Sequence, residues 1–364
     1  MNAASERLSS QAHSFQSPGK IILSGEHSVV YGARALAMAV APYARCRVVE
    51  TDLDSVRIGI GLQDQSLQSA NRTWSEILEL YDRLDDRFRR YQAGSLSIGG
   101  PSGVLHDLHD LFYYALAHWA MDAKVQPKQG IDLVLVSDIP IGCGMGSSAA
   151  TLSAFLAALA SVWQQPLEQP DIHRLVQWVE RLQHGCESKI DSRVTALGGL
   201  ITVQDGALTG RSQVSQLPQL PVYLVNTGTP LSTTGECVAR VREQFGQSTI
   251  WQDFETTTAG LERAIHDHNW SSARQWVEHN HQLLARIGVV PEAIQDFVRT
   301  LAKRCNGVAK ICGAGSVSGD RAGLLMVWSE GPIDGLVSEW GYSVIDLIAD
   351  NCGTQPCEAF YESS

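Results

Sequence analysis

Residues 139–150 read IPIGCGMGSSAA, and this stretch decides how the rest of the chain is interpreted. It follows an apolar run predicted to be a strand, residues 131–136, and precedes a small-residue run predicted to be a helix, residues 149–160. Because glycine has no Cβ, such a loop brings backbone N–H groups close to a phosphate, and the dipole of the following helix favours the same anion. The stretch therefore predicts a cradle for a triphosphate.

The same loop has a simpler interpretation, which is a flexible turn with a serine that caps the following helix. It is not a Walker A loop, because the GxxxxGK[ST] pattern requires a lysine that this stretch lacks. From these residues alone, both a phosphate site and a plain turn stay open.

Two further segments favour phosphate binding. Residues 18–32, PGKIILSGEHSVVYG, predict a short strand with Lys20 at its start and Gly-Glu-His at its end. Residues 309–319, AKICGAGSVSG, form a second glycine- and serine-rich loop. Taken singly, Lys20 is a solvated charge and His27 a turn histidine. Three such segments in one chain are hard to explain as independent turns.

Composition and charge limit the function classes. The chain has 364 residues, 44% hydrophobic and 18% charged, which is typical of a globular protein long enough for two domains. Its net charge of −11 argues against a general nucleic-acid binder. No run reaches the about 18 apolar residues of a membrane span. The scattered cysteines, none of them in a CxxC pair, predict reduced thiols of a cytoplasmic protein.

Apolar periodicity and turn residues predict a mixed α and β chain. Residues 1–15 are predicted to be a disordered leader, and residues 205–219 a turn-rich stretch. Asp171 is predicted to cap the helix that follows Pro170. The predicted strands are 20–24, 45–51, 56–61, 131–137, 198–203, 221–226, 308–312, 322–328 and 342–346. The predicted helices are 74–93, 107–121, 149–163, 171–184, 236–245, 254–266, 270–285 and 291–304.

The three segments occur in the order of the signature motifs of the GHMP superfamily of galactokinases, homoserine kinases, mevalonate kinases and phosphomevalonate kinases. The chain resembles this superfamily, and within it the mevalonate kinase branch, of which GEHSVVYG at residues 25–32 is characteristic. VERLQHG at residues 179–185, SKID at 188–191 and NHQLL at 280–284 also resemble that branch. The resemblance extends from about residue 16 to about residue 328.

The resemblance implies an α+β two-domain GHMP kinase fold. The N-terminal ATP-binding domain, residues 16–210, is expected to be an α/β domain like domain 2 of ribosomal protein S5. The C-terminal domain, residues 211–364, is expected to be a ferredoxin-like α+β domain. The active site is expected in the cleft between the two domains, and the family suggests a homodimer.

The resemblance also implies ATP and Mg²⁺ as cofactors. Ser148 and Glu180 are the expected Mg²⁺ ligands, since this ion takes oxygen ligands and only one or two protein groups. Asp191 is the expected catalytic base, and Lys20 is expected to pair with it and to offset charge on the phosphoryl oxygens. Taken singly, Glu180 is a solvated helix charge and Asp191 a capping residue. The residues expected to bind the phosphates are Gly142, Gly144, Met145, Gly146, Ser147, Ser148 and Ala149.

The acceptor side of the site departs from the family pattern. Residues 316–321, SVSGDR, replace a run of glycines, and valine disfavours the left-handed backbone that glycine allows. Arg34 is the only arginine or lysine in segments 26–34 and 228–236, which favours an acceptor without a phosphate group. The residues expected to bind the acceptor are Lys20, Glu26, His27, Asp191, Thr233 and Ala314.

The activity implied by the resemblance is ATP-dependent phosphorylation of the 5-hydroxyl of mevalonate, on the route to isoprenoids. Two alternatives stay open at this point. One is a kinase of the same superfamily that acts on phosphomevalonate or a small sugar. The other is a non-catalytic sensor of ATP and a metabolite, which is expected to lose the base or a metal ligand. This chain keeps all four of the relevant side chains, Lys20, Ser148, Glu180 and Asp191.

Overall fold

The computed structural model describes residues 13–62, 66–96, 104–125, 129–184, 190–214 and 222–358. Two β-sheets with helices packed against them make up this part of the chain. Its strands are β1 His13–Ser24, β2 Ala35–Thr51, β3 Val56–Leu62, β4 Gln68–Arg72, β5 Gly130–Ser137, β6 Leu200–Gln204, β7 Ala207–Ser212, β8 Val222–Asn226, β9 Gly307–Ile311, β10 Leu324–Ser329, β11 Ser343–Asp346 and β12 Gln355–Pro356. Its α-helices are α1 Trp74–Gln92, α2 Leu108–Asp122, α3 Ser147–Val162, α4 Gln169–His184, α5 Asp191–Leu197, α6 Thr234–Phe245, α7 Ile250–His266, α8 Trp270–Arg286, α9 Glu292–Cys305 and α10 Asp334–Glu339.

The first sheet is mixed and is organised around the long strand β2. The N-terminal part of β2 pairs with β6, and its C-terminal part pairs with β5. Nearly the whole length of β1 pairs antiparallel with β2. The path β12-β1-β2-β5-β3-β4 is completed by β6 and β7. β3 and β5 are parallel neighbours, whereas the other pairs are antiparallel. This arrangement places the C-terminal half of β1 beside the loop that follows β5.

α3 is the central helix of the first part of the molecule. Thirteen of its 16 residues are buried, which confirms the predicted helix that is apolar on all sides. It packs on β1 and β2 and contacts α2, α4 and α5. Its alanines allow these close approaches, because a methyl side chain adds little to the distance between two elements. The position of its N-terminus is therefore fixed by packing along the whole helix.

The second sheet is antiparallel and has the strand order β11-β8-β10-β9. Helices α6 to α9 supply most of the apolar side chains that cover it, including Phe254, Leu284 and Phe297. A separate apolar cluster joins the two sheets, with Ile21 and Leu36 from the first and Met326 and Trp328 from the second. β12 returns to the first sheet and pairs with β1 at Phe15. The two parts are thus connected by a shared core as well as by the chain.

Most predicted elements are confirmed, and the differences have local causes. β1 begins at His13, before the predicted domain start at residue 16, while residues 1–12 lie outside the described part. The predicted turn-rich stretch at residues 205–219 contains a strand that was not predicted, β7, which pairs with β6. Asp171 does not cap α4, because this helix already begins at Gln169 and Asp171 lies in its first turn. The predicted cap placed the helix start after Pro170, but proline is compatible with the first turn of a helix.

No helix among the described residues is long and apolar enough to cross a membrane.

Candidate active site

The loop between β5 and α3 takes the backbone conformation that its glycines permit. Gly142, Gly144 and Gly146 have φ values of +71°, +84° and +69°, a region that side chains with a Cβ rarely adopt. Gly146 is the residue before α3, so the loop ends directly at the N-terminus of this 16-residue helix. Ser147 and Ser148 lie in its first turn, half-buried, whereas Met145 and Ala149 are buried. The N-terminus of a buried helix and a glycine-rich loop meet at one place, as a phosphate site requires.

Lys20 lies directly beneath this loop. Its backbone N–H donates to the carbonyl of Met145 at 2.9 Å. A Cβ on Gly146 would lie 2.9 Å from Cγ of Lys20, so glycine is needed here for the lysine side chain to pass. The backbone hydrogen bond to Met145 and the absence of a side chain at Gly146 together place the Lys20 ammonium group under the phosphate loop.

The predicted pair of Lys20 and Asp191 is confirmed. Lys20 Nζ lies 2.9 Å from Asp191 Oδ1, and the lysine side chain is 4% exposed, whereas that of Asp191 is 29% exposed. Asp191 is the first residue of α5, a short helix that the sequence analysis did not predict. Of the SKID motif, Ser188 and Lys189 lie outside the described residues. The geometry gives a buried cation and a carboxylate that solvent or a substrate can reach.

Glu180 is the second carboxylate near Lys20, and its environment is unusual. Burial raises the pKa of its carboxyl group to about 8, and the negative charge of Asp191 acts in the same direction, whereas Lys20 lowers it. Its Oε2 is buried and has no hydrogen-bond partner among the described residues. Ser148 Oγ donates to Oε1 of Gln183, one turn further along α4, at 2.9 Å. A buried carboxylate with an unused oxygen, next to a serine hydroxyl, fits one Mg²⁺ ion that takes its remaining ligands from phosphates and water.

The phosphate loop touches the second part of the molecule. Leu324 N–H donates to the carbonyl of Cys143 at 3.2 Å. A Cβ on Gly144 would lie 3.5 Å from Cα of Gly313, and one on Gly142 would lie 3.3 Å from Cγ2 of Thr229. The loops that follow β8 and β9 therefore face the phosphate loop, and the site lies where the two parts meet.

His27 and Ala314, both predicted to lie on the acceptor side, contact each other. His27 Nε2 lies 3.0 Å from the carbonyl oxygen of Ala314, and burial lowers the pKa of this histidine. Thr233 is exposed and caps α6, where its Oγ1 accepts from the N–H of Glu236 at 3.2 Å. The backbone adopts the left-handed region at Gly315 and Gly319 but not at Val317, so the departure from the glycine run is accommodated without strain.

Glu26 has a different environment from the one expected of a substrate residue. The Glu26 side chain is 1% exposed and the Lys310 side chain 0% exposed, and the two form an ion pair. Lys310 Nζ also donates to the carbonyl of Ile22 at 2.9 Å. Burial raises the pKa of the Glu26 carboxyl group, and the Lys310 ammonium acts in the opposite direction. In this structure Glu26 therefore contacts the second sheet rather than an open cleft.

Several polar residues of this junction escaped the sequence analysis. Ser24 Oγ lies 2.7 Å from Thr258 Oγ1 and accepts from Asn280 Nδ2 at 2.9 Å, and all three side chains are buried. Lys310 stands in the quoted segment AKICGAG, where a lysine between apolar residues of a strand is a signal for a buried partner. Gln183 gave no comparable signal, because a glutamine on a helix is ordinarily a surface residue.

Arg34 is not available to an acceptor. Its Nε donates to Glu255 at 2.9 Å and its Nη1 donates to Glu262 at 2.6 Å. Glu255 also accepts from the backbone N–H of Arg34. Two carboxylates thus neutralise the only arginine or lysine of segments 26–34 and 228–236.

Comparison with known proteins agrees with this geometry. The family model for the GHMP kinases N terminal domain matches residues 110–199, which contain the phosphate loop, Glu180 and Asp191. A mevalonate kinase of Pyrococcus horikoshii is 30% identical over 312 residues, covering 82% of this chain and 84% of the relative.

Two solved structures share the fold. The mevalonate kinase of Methanococcus jannaschii superposes with a TM-score of 0.73 at 20% identity, covering 94% of this chain and 99% of that one. The galactokinase of Lactococcus lactis reaches the same TM-score at 15% identity, with 95% of both chains covered. These likenesses confirm the predicted GHMP kinase fold, but this fold is shared by kinases that act on different acceptors, so it does not identify the acceptor. The sequence relationship is more specific, and by it the chain belongs to the mevalonate kinase family of the GHMP kinases.

Proposed function

We propose that this protein transfers the γ-phosphoryl group of ATP to the 5-hydroxyl of mevalonate and so yields 5-phosphomevalonate for isoprenoid biosynthesis. The observation that carries the proposal is the 2.9 Å pair of Lys20 and Asp191, which lies against Gly146 at the N-terminus of α3. The relative named mevalonate kinase supports mevalonate as the acceptor.

The catalytic roles follow from the geometry of this pair. Asp191 is accessible to an acceptor hydroxyl and takes its proton as that oxygen bonds to phosphorus and the bond to ADP breaks. Lys20 holds the carboxylate in place and stabilises the negative charge on the phosphoryl oxygens. The phosphates of ATP bind the backbone N–H groups of residues 142–148 and the N-terminus of α3.

Mg²⁺ is proposed to bind Ser148 Oγ and the Glu180 carboxylate. The support is the unpartnered Oε2 of Glu180 and the pKa of its carboxyl group, which burial raises even though Lys20 acts in the opposite direction. When bound, the ion neutralises charge on the phosphates. Gln183 accepts from the Ser148 hydroxyl and so orients that side chain.

The site favours an acceptor without a phosphate group. A phosphorylated acceptor needs an additional arginine or lysine, and Arg34 is already paired with Glu255 and Glu262. A non-catalytic sensor is disfavoured, because the base, its lysine and both metal ligands are retained around one point. A cytoplasmic location and a homodimer stay predictions of the family resemblance.

A coupled assay of ADP formation with Mg²⁺ tests the proposal against mevalonate, phosphomevalonate, homoserine and galactose. We expect turnover with mevalonate and a loss of about 10³-fold or more in kcat for Asp191→Asn. Asp138→Asn is the control, because Asp138 is an exposed aspartate at the start of the loop between β5 and α3. Turnover with another acceptor alone contradicts the mevalonate assignment, and ATP binding without any turnover supports the sensor.

A further inference from the structure

Three serines connect the segment before α6 to the loop after β9, and we call Ser232, Ser316 and Ser318 the serine knot. Ser316 Oγ accepts from the N–H of Ser232 at 3.2 Å and donates to the carbonyl of Ser318 at 2.6 Å. The hydroxyls of Ser232 and Ser318 lie 2.8 Å apart, and Ser232 Oγ accepts from the N–H of Val317 at 3.3 Å. Each of the two loops thus both donates to and accepts from the other.

The knot is buried at Ser316 and Ser232, whereas Ser318 and the neighbouring Leu231 are exposed. Ser316 is completely buried and Ser232 is 8% exposed. A Cβ on Gly319 would lie 2.7 Å from Cδ1 of Leu231, so the neighbouring side chain of the first loop lies directly on the second. Buried hydroxyls that are fully paired hold one arrangement, because any displacement leaves an unsatisfied polar group.

The knot stands between two residues on the acceptor side of the site. Ser232 directly precedes Thr233, and Ser316 is separated from Ala314 by one residue, Gly315. The carbonyl of Ala314 in turn bonds His27, which belongs to the first part of the molecule. A continuous series of contacts therefore runs from His27 through Ala314 and the knot to Thr233.

The knot is not needed to form α6. Thr233 and Glu236 make a complete capping box, in which each side chain bonds the other residue's backbone N–H. This box holds the start of the helix by itself. What the knot adds is the position of that helix start relative to Ala314.

We propose that Ser316 is a positioning residue that sets the separation of Thr233 and Ala314, and thereby the affinity for the acceptor but not for ATP. The identity of the acceptor as mevalonate rests on the proposed function above. Two of its three serines, Ser316 and Ser318, lie in the segment 316–321, where this chain departs from the glycine run of the family pattern.

The test compares Ser316→Ala with Ser329→Ala. Ser329 is an equally buried serine at the far end of β10, where its hydroxyl donates to the carbonyls of Cys305 and Gly331. We expect Ser316→Ala to raise the KM for mevalonate by roughly tenfold, with little change in kcat or in the KM for ATP. We expect Ser329→Ala to lower the melting temperature without changing either KM.

Hydrogen exchange supplies a readout that does not depend on activity. Ser316→Ala is expected to speed exchange of the Ser232 amide, which loses its acceptor, whereas Ser329→Ala leaves it unchanged. Unchanged exchange, or an unchanged KM for the acceptor despite faster exchange, overturns the proposal. If the wild type phosphorylates an acceptor other than mevalonate, and Ser316→Ala then shows faster exchange and a raised KM for that acceptor, the positioning role is supported and only the mevalonate assignment is overturned. Faster exchange without turnover of any acceptor overturns the positioning role as well.

Discussion

The proposed phosphate side and the proposed acceptor side of this site are built in different ways. The phosphate side consists of residues 142–148 with Lys20, Glu180 and Asp191, and it keeps an unpartnered carboxylate oxygen and an accessible carboxylate. On the acceptor side the polar side chains already have partners within the protein: His27 contacts the Ala314 carbonyl, Glu26 pairs with Lys310, and the serines of the knot bond one another's backbone and hydroxyl groups.

This difference separates chemistry from positioning. The phosphate side depends on glycine backbone conformations and a few charges, each of which is expected to act directly on a ligand. The acceptor side depends on contacts between segments that are distant in sequence, so its residues are expected to act largely through one another. Substitutions on the two sides should therefore change different quantities, kcat on the first and stability or acceptor affinity on the second.

Lys20→Met gives the largest expected effect. Methionine fills the space under Gly146 but leaves Asp191 without its ammonium partner and the phosphoryl oxygens without its charge, so kcat should fall by about 10³-fold. The fall is measured in the coupled assay with mevalonate and saturating ATP. Lys303→Met, on the exposed side of α9, is the control and should leave kcat unchanged. A fall of less than tenfold for Lys20→Met would place the chemistry elsewhere.

Lys310→Met should change stability more than any other substitution on the acceptor side. It leaves Glu26 as a buried carboxylate without its partner, which costs about 3–5 kcal/mol in the free energy of unfolding. Urea denaturation followed by fluorescence measures this loss. Arg304→Met removes an exposed ion pair with Glu339 and should leave the free energy of unfolding nearly unchanged, because solvent screens such pairs.

The double variant Glu26→Gln with Lys310→Met sharpens this result. It removes both charges, so most of the stability lost in Lys310→Met should return. A double variant that is as unstable as Lys310→Met shows that packing of the lysine stem, rather than charge pairing, holds this junction.

Gly146→Ala tests whether the phosphate side depends on backbone geometry. The alanine methyl group is strained at a φ of +69° and would lie 2.9 Å from Cγ of Lys20, so kcat/KM should fall by roughly 10- to 100-fold. Gly94→Ala is a matched control, since Gly94 has a φ of +70° and an added methyl group there would have no described neighbour within 4 Å. Gly94→Ala should lose about 1 kcal/mol of stability through its left-handed backbone but keep its activity. Gly146→Ala should lose at least as much stability, because its methyl group also meets Lys20. Equal activities in the two variants would contradict a role of Gly146 beyond the turn.

The same contrast explains what could be predicted from the sequence. The phosphate loop, α3 and the pairing of Lys20 with Asp191 were predictable, because local glycine and charge patterns reflect backbone conformation and a resemblance supplied the partner. The partner of Glu26 was not, since nothing in GEHSVVYG indicates a lysine on β9. β7 was missed because its sequence, ALTGRS, is polar and largely exposed, and only pairing with β6 makes it a strand.

Histidines on the two sides give the smallest expected effect, which appears in the pH dependence of stability. His281 follows Asn280 in α8, and burial lowers its pKa to about 4, with Lys310 and Arg299 acting in the same direction. His173 bonds Ser192, next to Asp191, and burial lowers its pKa to about 4 as well, with Arg193 and Arg174 adding to the effect. Both groups are neutral in the folded chain at a pH where the unfolded chain binds a proton.

Between pH 6.5 and about 4 the unfolded state therefore carries more protons, and the free energy of unfolding falls as the pH falls. Each histidine contributes a slope of at most about 1.4 kcal/mol per pH unit in this window and none above it. Urea denaturation at pH 7.5, 6 and 5 measures the slope for the wild type, His281→Gln, His173→Gln and the double variant. We expect each substitution to reduce the slope by a similar amount, which means that the histidines of the two sides contribute equally to the loss of stability in acid. A slope that only His281→Gln reduces would place acid sensitivity at the buried charges around Lys310, and the acceptor side would then unfold first as the pH falls.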